Sequence, residues 1–430
     1  MPFETSATPA RRIAVIGAGI SGMAAAHLLS PDLKVVLFEA GSSLGGHALT
    51  VLAGKRGDQP VDMGFIVFNK INYPRLTALF EQLEVPIAPS NMSFACSIQG
   101  GSLEYGLRDL NSLFAQRRNL VSPRYLRMLS DILRFHRHAD SVLTPDMTLR
   151  ELLATMKMSD AFRDHYIAPF TGAIWSTPSA GMLDFPAEAL IRFFKNHGLM
   201  GVWKHHPWFT VQGGSVEYVR RLTASLSRHG VEIRSSTPIA GVRRVPGGAQ
   251  VRATGAEWEM FDEVIFATHS DDTLRLLSDA TPAETAALSA IRYQPNQAIL
   301  HADPSQMPKS RRIWASWNYA EPAGPRPDRI DLTYWMNSLQ PIPKDDPLFV
   351  TLNPTRPIDE SLIHQVRTFH HPVYDQPALA AQEKLRAMNG QSATWFCGAW
   401  MKNGFHEDGF ASAADVATAL RARQPLREAA

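Results

Sequence analysis

Glycines 17, 19 and 22, in the string AVIGAGISGMAAAHLL, have a spacing that suits close approach of a phosphate to the backbone. The first permits a tight turn, the second leaves room for the ligand, and the third lets a helix pack close to a strand. Ala18, Ile20 and Ser21 complete the turn, and a helix starting here offers unpaired N–H groups and a positive dipole end to an anion. Glu39, with Ala40 beside it, follows about twenty residues after Gly19, where a carboxylate can accept hydrogen bonds from an adenosine ribose. A turn that only packed a helix on a strand would have no use for that acid. The expected chemistry is the gripping of a dinucleotide.

These residues need a βαβ unit to position them. The sequence predicts a strand from Arg12 to Ile16, a helix over Gly19 to Leu29 and a strand from Lys34 to Phe38. From about Leu76 to Lys204 the pattern is helical and aromatic, with helices at Arg124 to Arg137 and Ala187 to Asn196, which suggests an inserted lobe. A helix from Gly213 to Arg228 and strands Glu232 to Arg234, Ala249 to Ala253 and Glu263 to Ala267, with a turn at Pro246, resume the α/β alternation. The Pro- and Trp-rich stretch Ser305 to Pro357, with extended Arg329 to Trp335, reads as a second sheet-containing lobe. A strand from Ala393 to Gly398 and a helix from Ala411 to Arg423 close the chain. There is no internal repeat.

A chain of 430 residues, 45% apolar and 20% charged, exceeds one hydrophobic core and calls for at least two lobes. Its net charge of +2 supplies no global field for nucleic acid, so no nucleic-acid partner is expected. Cys96 and Cys397 alone exclude a disulfide framework or a four-thiolate metal site and fit a reducing compartment. His269 and His301 have no partner at metal-ligand spacing, so no metal is expected. No apolar run reaches the ~20 residues of a membrane-spanning helix, and the opening MPFETSATPARR is polar, so the expectation is a cytoplasmic protein.

The string EAGSSLGGHALT, with Gly45 and Gly46, resembles the second glycine motif of the glutathione-reductase-type FAD family, which implies FAD rather than NAD as cofactor. His47 stands where the amine-oxidase branch usually has Arg. The string VDMGFIVFN resembles the family's passage beside the isoalloxazine, which implies contacts from Asp62, Met63, Gly64 and Phe65. Pro238 to Val242 resembles the strand edge at the adenine, with Val242 its contact. WFCGAWMKNGFHEDGFASAADVA resembles the closing motif, which implies flavin contacts from Gly398, Asp408, Gly409 and Phe410 and a helix after Gly409 aimed at the flavin. No second G-x-G-x-x-G provides for a nicotinamide donor. The implied fold is α/β, a glutathione-reductase-type FAD-binding Rossmann domain (9–80, 208–272 and 393–428) with an interleaved α+β substrate domain (81–207 and 273–392).

GGHALTV, PSNMSFACSI, SLFAQRRNL, PFTGAIWSTPSAGMLDFP, FFKNHGL and FCGAWMKNGFHEDG closely resemble flavoproteins of the flavin amine oxidase superfamily that are associated with cyclopropane-fatty-acyl-phospholipid synthases and in plants fused to them. The APFT of Ala168 to Thr171 is similar to a string in a flavin-dependent fatty-acid double-bond isomerase. The resemblance implies an FAD-dependent oxidoreductase working by hydride transfer on a fatty acyl chain (unsaturated, methyl-branched or cyclopropane), by dehydrogenation or isomerisation. The alternatives are an amine or carotenoid-type flavin oxidase, and a non-catalytic FAD module supporting a lipid methyltransferase partner. No lysine around Tyr293 to Asp303 matches the one many amine oxidases hold near the flavin.

Phe170, Ile174, Trp175, Met182, Leu183 and Phe185 are candidates for an apolar substrate tunnel, with ordinary core as the other reading. The segment Arg192 to Phe209, with His205 and His206, interleaves cations and aromatics as an anchor at a membrane surface does, or as a half-solvated helix does. Trp400 and His406 flank the closing motif. The resemblance would place them near the flavin, Trp400 as a wall against flavin and substrate and His406 as a proton carrier, unless His406 only holds its loop.

Overall fold

The computed structural model describes residues 11–176, 181–196, 206–325 and 329–423. The predicted unit forms as β1 (Arg12–Ile16), α1 (Ile20–Leu29) and β2 (Lys34–Phe38). Both strands are buried on both faces after their first residue, as parallel strands covered on each side must be. They sit centrally in a five-stranded sheet ordered Thr394–Phe396, Glu263–Phe266, β1, β2, Glu232–Arg234, and every neighbouring pair is parallel.

One face of this sheet packs on α1, Pro74–Gln82, Val216–Arg228 and the closing helix His406–Ala422. The other packs on an antiparallel three-stranded sheet spanning Ile239–Phe261 and on helices Pro282–Ser289 and Gln376–Met388. Those two helices, in the stretch 273–392, thus lie on the parallel sheet. Eight of the ten α1 residues are buried, because the helix is wedged between sheet and closing helix and has no solvent face.

A seven-stranded sheet is ordered Ile363–Pro372, Tyr293–His301, Phe349–Leu352, Asp331–Trp335, Trp317–Ala320, Phe94–Ile98, Leu103–Gly106, and its Trp317–Ala320/Phe94–Ile98 pair alone is parallel. It draws strands from both stretches that flank the central part of the chain. Helices Pro123–Val142, Ala168–Trp175 and Ala187–Asn196 share its core.

The expectation of a helical stretch from Leu76 onward fails over 87–106, where three strands form. Ile87–Ser90 and Phe94–Ile98 pair with strands more than a hundred residues away, and Leu103–Gly106 joins the sheet as the hairpin partner of Phe94–Ile98. The helix expected from Gly213 starts at Val216, because Gly213 and Gly214 both take positive φ. Residues 177–180 of the tunnel string and 197–205 of the anchor segment, including His205 and Lys204, lie outside the described residues. Among those described, no helix is long and apolar enough to cross a membrane.

Candidate functional site

The turn after β1 shows why its glycines are glycines. A Cβ on Gly22 would overlap the Gly17 carbonyl oxygen, and one on Gly17, at φ +97°, would sit 2.9 Å from Ala267 O. The Gly45 N–H donates to Ala18 O at 2.8 Å, and Gly19 and Gly45 form a parallel bridge, so the two glycine strings are zipped together. Gly19 caps α1 without any side-chain hydrogen bond, and the first turn of α1 carries no acid. The N-terminal N–H groups of α1, at Ile20 and Ser21, thus face a cavity with no intrahelical partner, a fit for pyrophosphate. Glu39 is held in the wall by N–H donors from Ala18 and Gly41, both 2.8 Å from its carboxylate.

The cavity measures about 2060 Å³, well beyond the ~300–1,000 Å³ of ordinary small-molecule sites. A dinucleotide and a second molecule fit together. Gly17 to Ser21, Glu39, Ala40, Gly46, His47, Met63, Gly64, Phe65, Gly398, Trp400 and His406 all border it. Phe170, Ile174 and Trp175 border its apolar arm, and His206 lines it too.

Several sequence candidates lie elsewhere. Gly22 and Gly45 pack behind the turn. Val242 is buried under Leu277, and the wall instead uses Thr237, Pro238 and Ile239, at the start of the same strand. Met182 and Phe185 belong to the core, with the Phe185 ring packed on Trp175, and Leu183 packs against that core. The closing helix starts at His406, not after Gly409. The Asp408 carboxylate therefore caps it, accepting from Phe405 N–H at 3.0 Å, while Gly409 and Phe410 pack inward against α1 and its neighbours. Burial pushes Asp408 up to about 6.

Asp62 is also outside the wall, yet it organises it. Its buried carboxylate accepts from Thr50 Oγ1 (2.6 Å), Ser215 N (2.8 Å), Ser215 Oγ (2.8 Å) and Gln340 Nε2 (3.0 Å). These donors tie the hairpin leading into Met63–Phe65 to the helix Val216–Arg228 and to the residue following the short helix Met336–Leu339. Burial raises Asp62 to about 6 against the pull of those donors. Asp62→Ala strands buried donors and should cost roughly 3–5 kcal/mol of stability, read as a drop in denaturation midpoint. Asp62→Asn should cost less, and equal losses would sink the carboxylate's role as acceptor.

The structure assembles a histidine group that sequence spacing missed. The His47 ring lies 5.2 Å from Phe369, 5.8 Å from His269 and 6.0 Å from His371, centroid to centroid. Burial, reinforced by the neighbouring imidazoles, lowers His47 well below its ordinary value, and His371 falls to about 4. His269 stacks on Tyr293 (4.4 Å), and His371 Nδ1 meets Asn296 Nδ2 at 2.8 Å. Backbone pairing of Tyr293–His301 with Ile363–Pro372 sets Phe369 and His371 beside Asn296, and His47 and His269 reach them from separate segments, so no one sequence motif marks the group. His269 also lies near Asp271 and Asp272, with ligand atoms within 4.8 Å, where the two acids occupy the first turn of Ser270–Leu276.

His406 stacks on Phe65 (centroids 4.0 Å) and its Nε2 lies 2.9 Å from Tyr218 Oη. Burial lowers its pKa to about 3, so it is neutral near pH 7 and no reservoir of protons. Its geometry is that of a side chain holding a loop. Trp400 donates from Nε1 to Thr268 O (2.9 Å), with its ring against Gly398, where a Cβ would overlap it. It forms a rigid wall.

Comparison with family models matches residues 20–315 to flavin containing amine oxidoreductase. No curated protein matches the chain. Among solved structures, cyclohexylamine oxidase from Brevibacterium oxydans IH-35A is similar over 96% of this chain and 100% of its own, at TM-score 0.69 and 16% identity. A CLA-producing fatty acid isomerase from P. acnes is similar over 96% and 99%, at 0.66 and 18%. Reduced UDP-galactopyranose mutase is similar over 96% of both chains, at 0.69 and 15%. At such identities the likeness is one of fold.

Proposed function

The chain belongs to the flavin containing amine oxidoreductase family and is an FAD-dependent oxidoreductase; from that premise we propose that its substrate is a fatty acyl chain, unsaturated, methyl-branched or cyclopropane-bearing. The observation carrying this reading is the apolar arm. Glu39, Asp109 and Asp272 are the acids among the described residues of the cavity wall, and no lysine is among them. Glu39 sits at the glycine turn, Asp109 caps a short helix, and Asp272 pairs with Arg275. The arm between Phe170, Ile174 and Trp175 thus has no carboxylate for an ammonium group but ample surface for methylenes. The fold shared with the fatty acid isomerase supports the reading.

In this reading Gly17–Ser21 and Gly46 hold the pyrophosphate, Glu39 and Ala40 the ribose, and Met63–Phe65 with Gly398 the flavin. Bound FAD supplies a reversible hydride acceptor, which serves either dehydrogenation or double-bond isomerisation. The aromatic arm orients the chain and keeps water away. His47, His269 and His371, neutral by burial, offer hydrogen bonds without adding charge.

Anaerobic mixing with unsaturated, methyl-branched and cyclopropane acids or phospholipids should bleach the flavin with one class. Ile174→Trp, which narrows the arm, should slow that bleaching about tenfold or more with flavin content unchanged. Bleaching by amines and by no acyl lipid would replace this reading with an amine oxidase. Flavin inert to both, with no altered lipid, would point to a module supporting a lipid methyltransferase.

A further inference from the structure

The apolar arm reaches solvent between the short helix Leu110–Leu113 and the long helix Pro123–Val142. Leu110 and Leu133 line the arm from these two sides and are 74% and 55% exposed. The stretch that carries these two leucines has an unusual surface. Five of the ten exposed large hydrophobics among the described residues, Leu110, Leu120, Val121, Leu126 and Leu133, fall between 110 and 133, with Val121 at 80%. Isolated exposed apolar side chains are ordinary, but such a concentration marks a contact face.

The charge of the same stretch is equally one-sided. Between residues 108 and 137 lie seven arginines and two aspartates, in a chain whose whole balance is +2. Asp109 pairs with Arg108, and the buried Asp131 takes up Arg127 and Arg134. Arg117, Arg118, Arg124 and Arg137 make no salt bridge among the described residues; Arg117 donates instead to Asn111 and Arg118 to the Ser102 carbonyl. Their positive charge is left facing outward.

We propose that this face docks on a bilayer containing anionic phospholipid, with Leu110, Val121 and Leu133 entering the acyl boundary and the arginines meeting the phosphates. Apolar side chains rimmed by cations are what such an interface selects. Docked this way, the arm opens against the acyl layer, and a chain enters it without crossing water. The proposal deepens the acyl reading and rests on it for what passes the mouth.

The test is flotation of the flavin-loaded protein with vesicles of phosphatidylglycerol and phosphatidylcholine, against phosphatidylcholine alone. Binding to the first is expected, fading in 1 M salt, where the Debye length shrinks from ~10 Å to ~3 Å. Arg117→Ser with Arg118→Ser should weaken it roughly 30-fold, and Leu110→Ser with Val121→Ser at least about tenfold. Met260→Ser with Val366→Ser, exposed apolar sites elsewhere, should change nothing. Arg117, Arg118, Val121, Met260 and Val366 are exposed and lie off the cavity wall, and Leu110 borders the arm away from the glycine turn, so flavin content should hold in every variant. No flotation with the anionic vesicles, or flotation indifferent to the mouth variants, overturns the proposal. So does a dimer in solution that Leu110→Ser with Val121→Ser dissociates, which would give the face to a second copy of the chain. Binding is read without turnover. A protein that floats but oxidises no acyl lipid defeats the acyl reading alone, and one bleached by acyl lipid in detergent that ignores vesicles defeats the docking face alone.

Discussion

Gly19→Ala yields a folded protein that has lost its flavin, while Gly22→Val loses both flavin and stability. The contrast follows from what each new side chain meets. A Cβ on Gly19 finds no protein atom closer than Gly46 Cα at 4.0 Å, and Gly19 borders the cavity. Its methyl group therefore intrudes only on a ligand. A side chain on Gly22 runs into the Gly17 carbonyl, which is backbone and cannot rotate aside. α1 must then move off β1, and its N-terminal N–H groups move with it. Each change should cost about 3 kcal/mol of flavin binding, roughly a hundredfold. The flavin-to-protein absorbance ratio, with a melting curve for each variant, decides the matter. Full flavin content in Gly19→Ala would remove the dinucleotide from this turn.

Acidification from pH 6 toward 4 should unfold the protein steeply. His406 falls to about 3, and His136, His301 and His371 to about 4, each chiefly through burial. An unfolded histidine titrates near 6.5. Between that value and the folded ones, the unfolded chain binds protons that the native chain refuses, so stability is complete above pH 6.5 and drains away as pH falls. Asp62 and Asp408, raised to about 6, act oppositely, since below that value the native state holds their protons first. Besides His47, which burial lowers in the same sense, these four histidines against two aspartates leave a net uptake of two protons on unfolding. That corresponds to about 3 kcal/mol per pH unit, a large share of the ~5–15 kcal/mol that holds a typical domain. Urea midpoints measured from pH 7.5 to 4.5 should trace this fall, and His406→Gln should flatten it by about 1.4 kcal/mol per unit. A flat profile would mean that water reaches these imidazoles.

The dinucleotide end of the site was legible before any fold was known. A phosphate is gripped by consecutive backbone N–H groups, which forces glycines at fixed offsets within one turn and a helix directly after it, so the requirement is written in neighbouring residues. Gly17, Gly19, Gly46 and Glu39 stand where that logic puts them on the wall. The parallel sheet was legible too, because strands covered on both faces are apolar throughout.

The far end followed no such rule. Asp62 resembled a flavin contact and is a buried clamp on Ser215 and Gln340. Asp408 resembled another and is a helix cap, because the closing helix begins a turn earlier than its alanines suggest. His47 meets Phe369 and His371 only because the fold lays the segment after the paired glycines against the strand Ile363–Pro372. The sequence by itself determined the βαβ unit and its nucleotide chemistry, since local backbone geometry demands particular residues at particular spacings. Of the tunnel candidates, Phe170, Ile174 and Trp175 reach the wall; the tertiary structure alone decided the histidine group and the mouth, because side chains from distant segments build them and leave no periodicity behind.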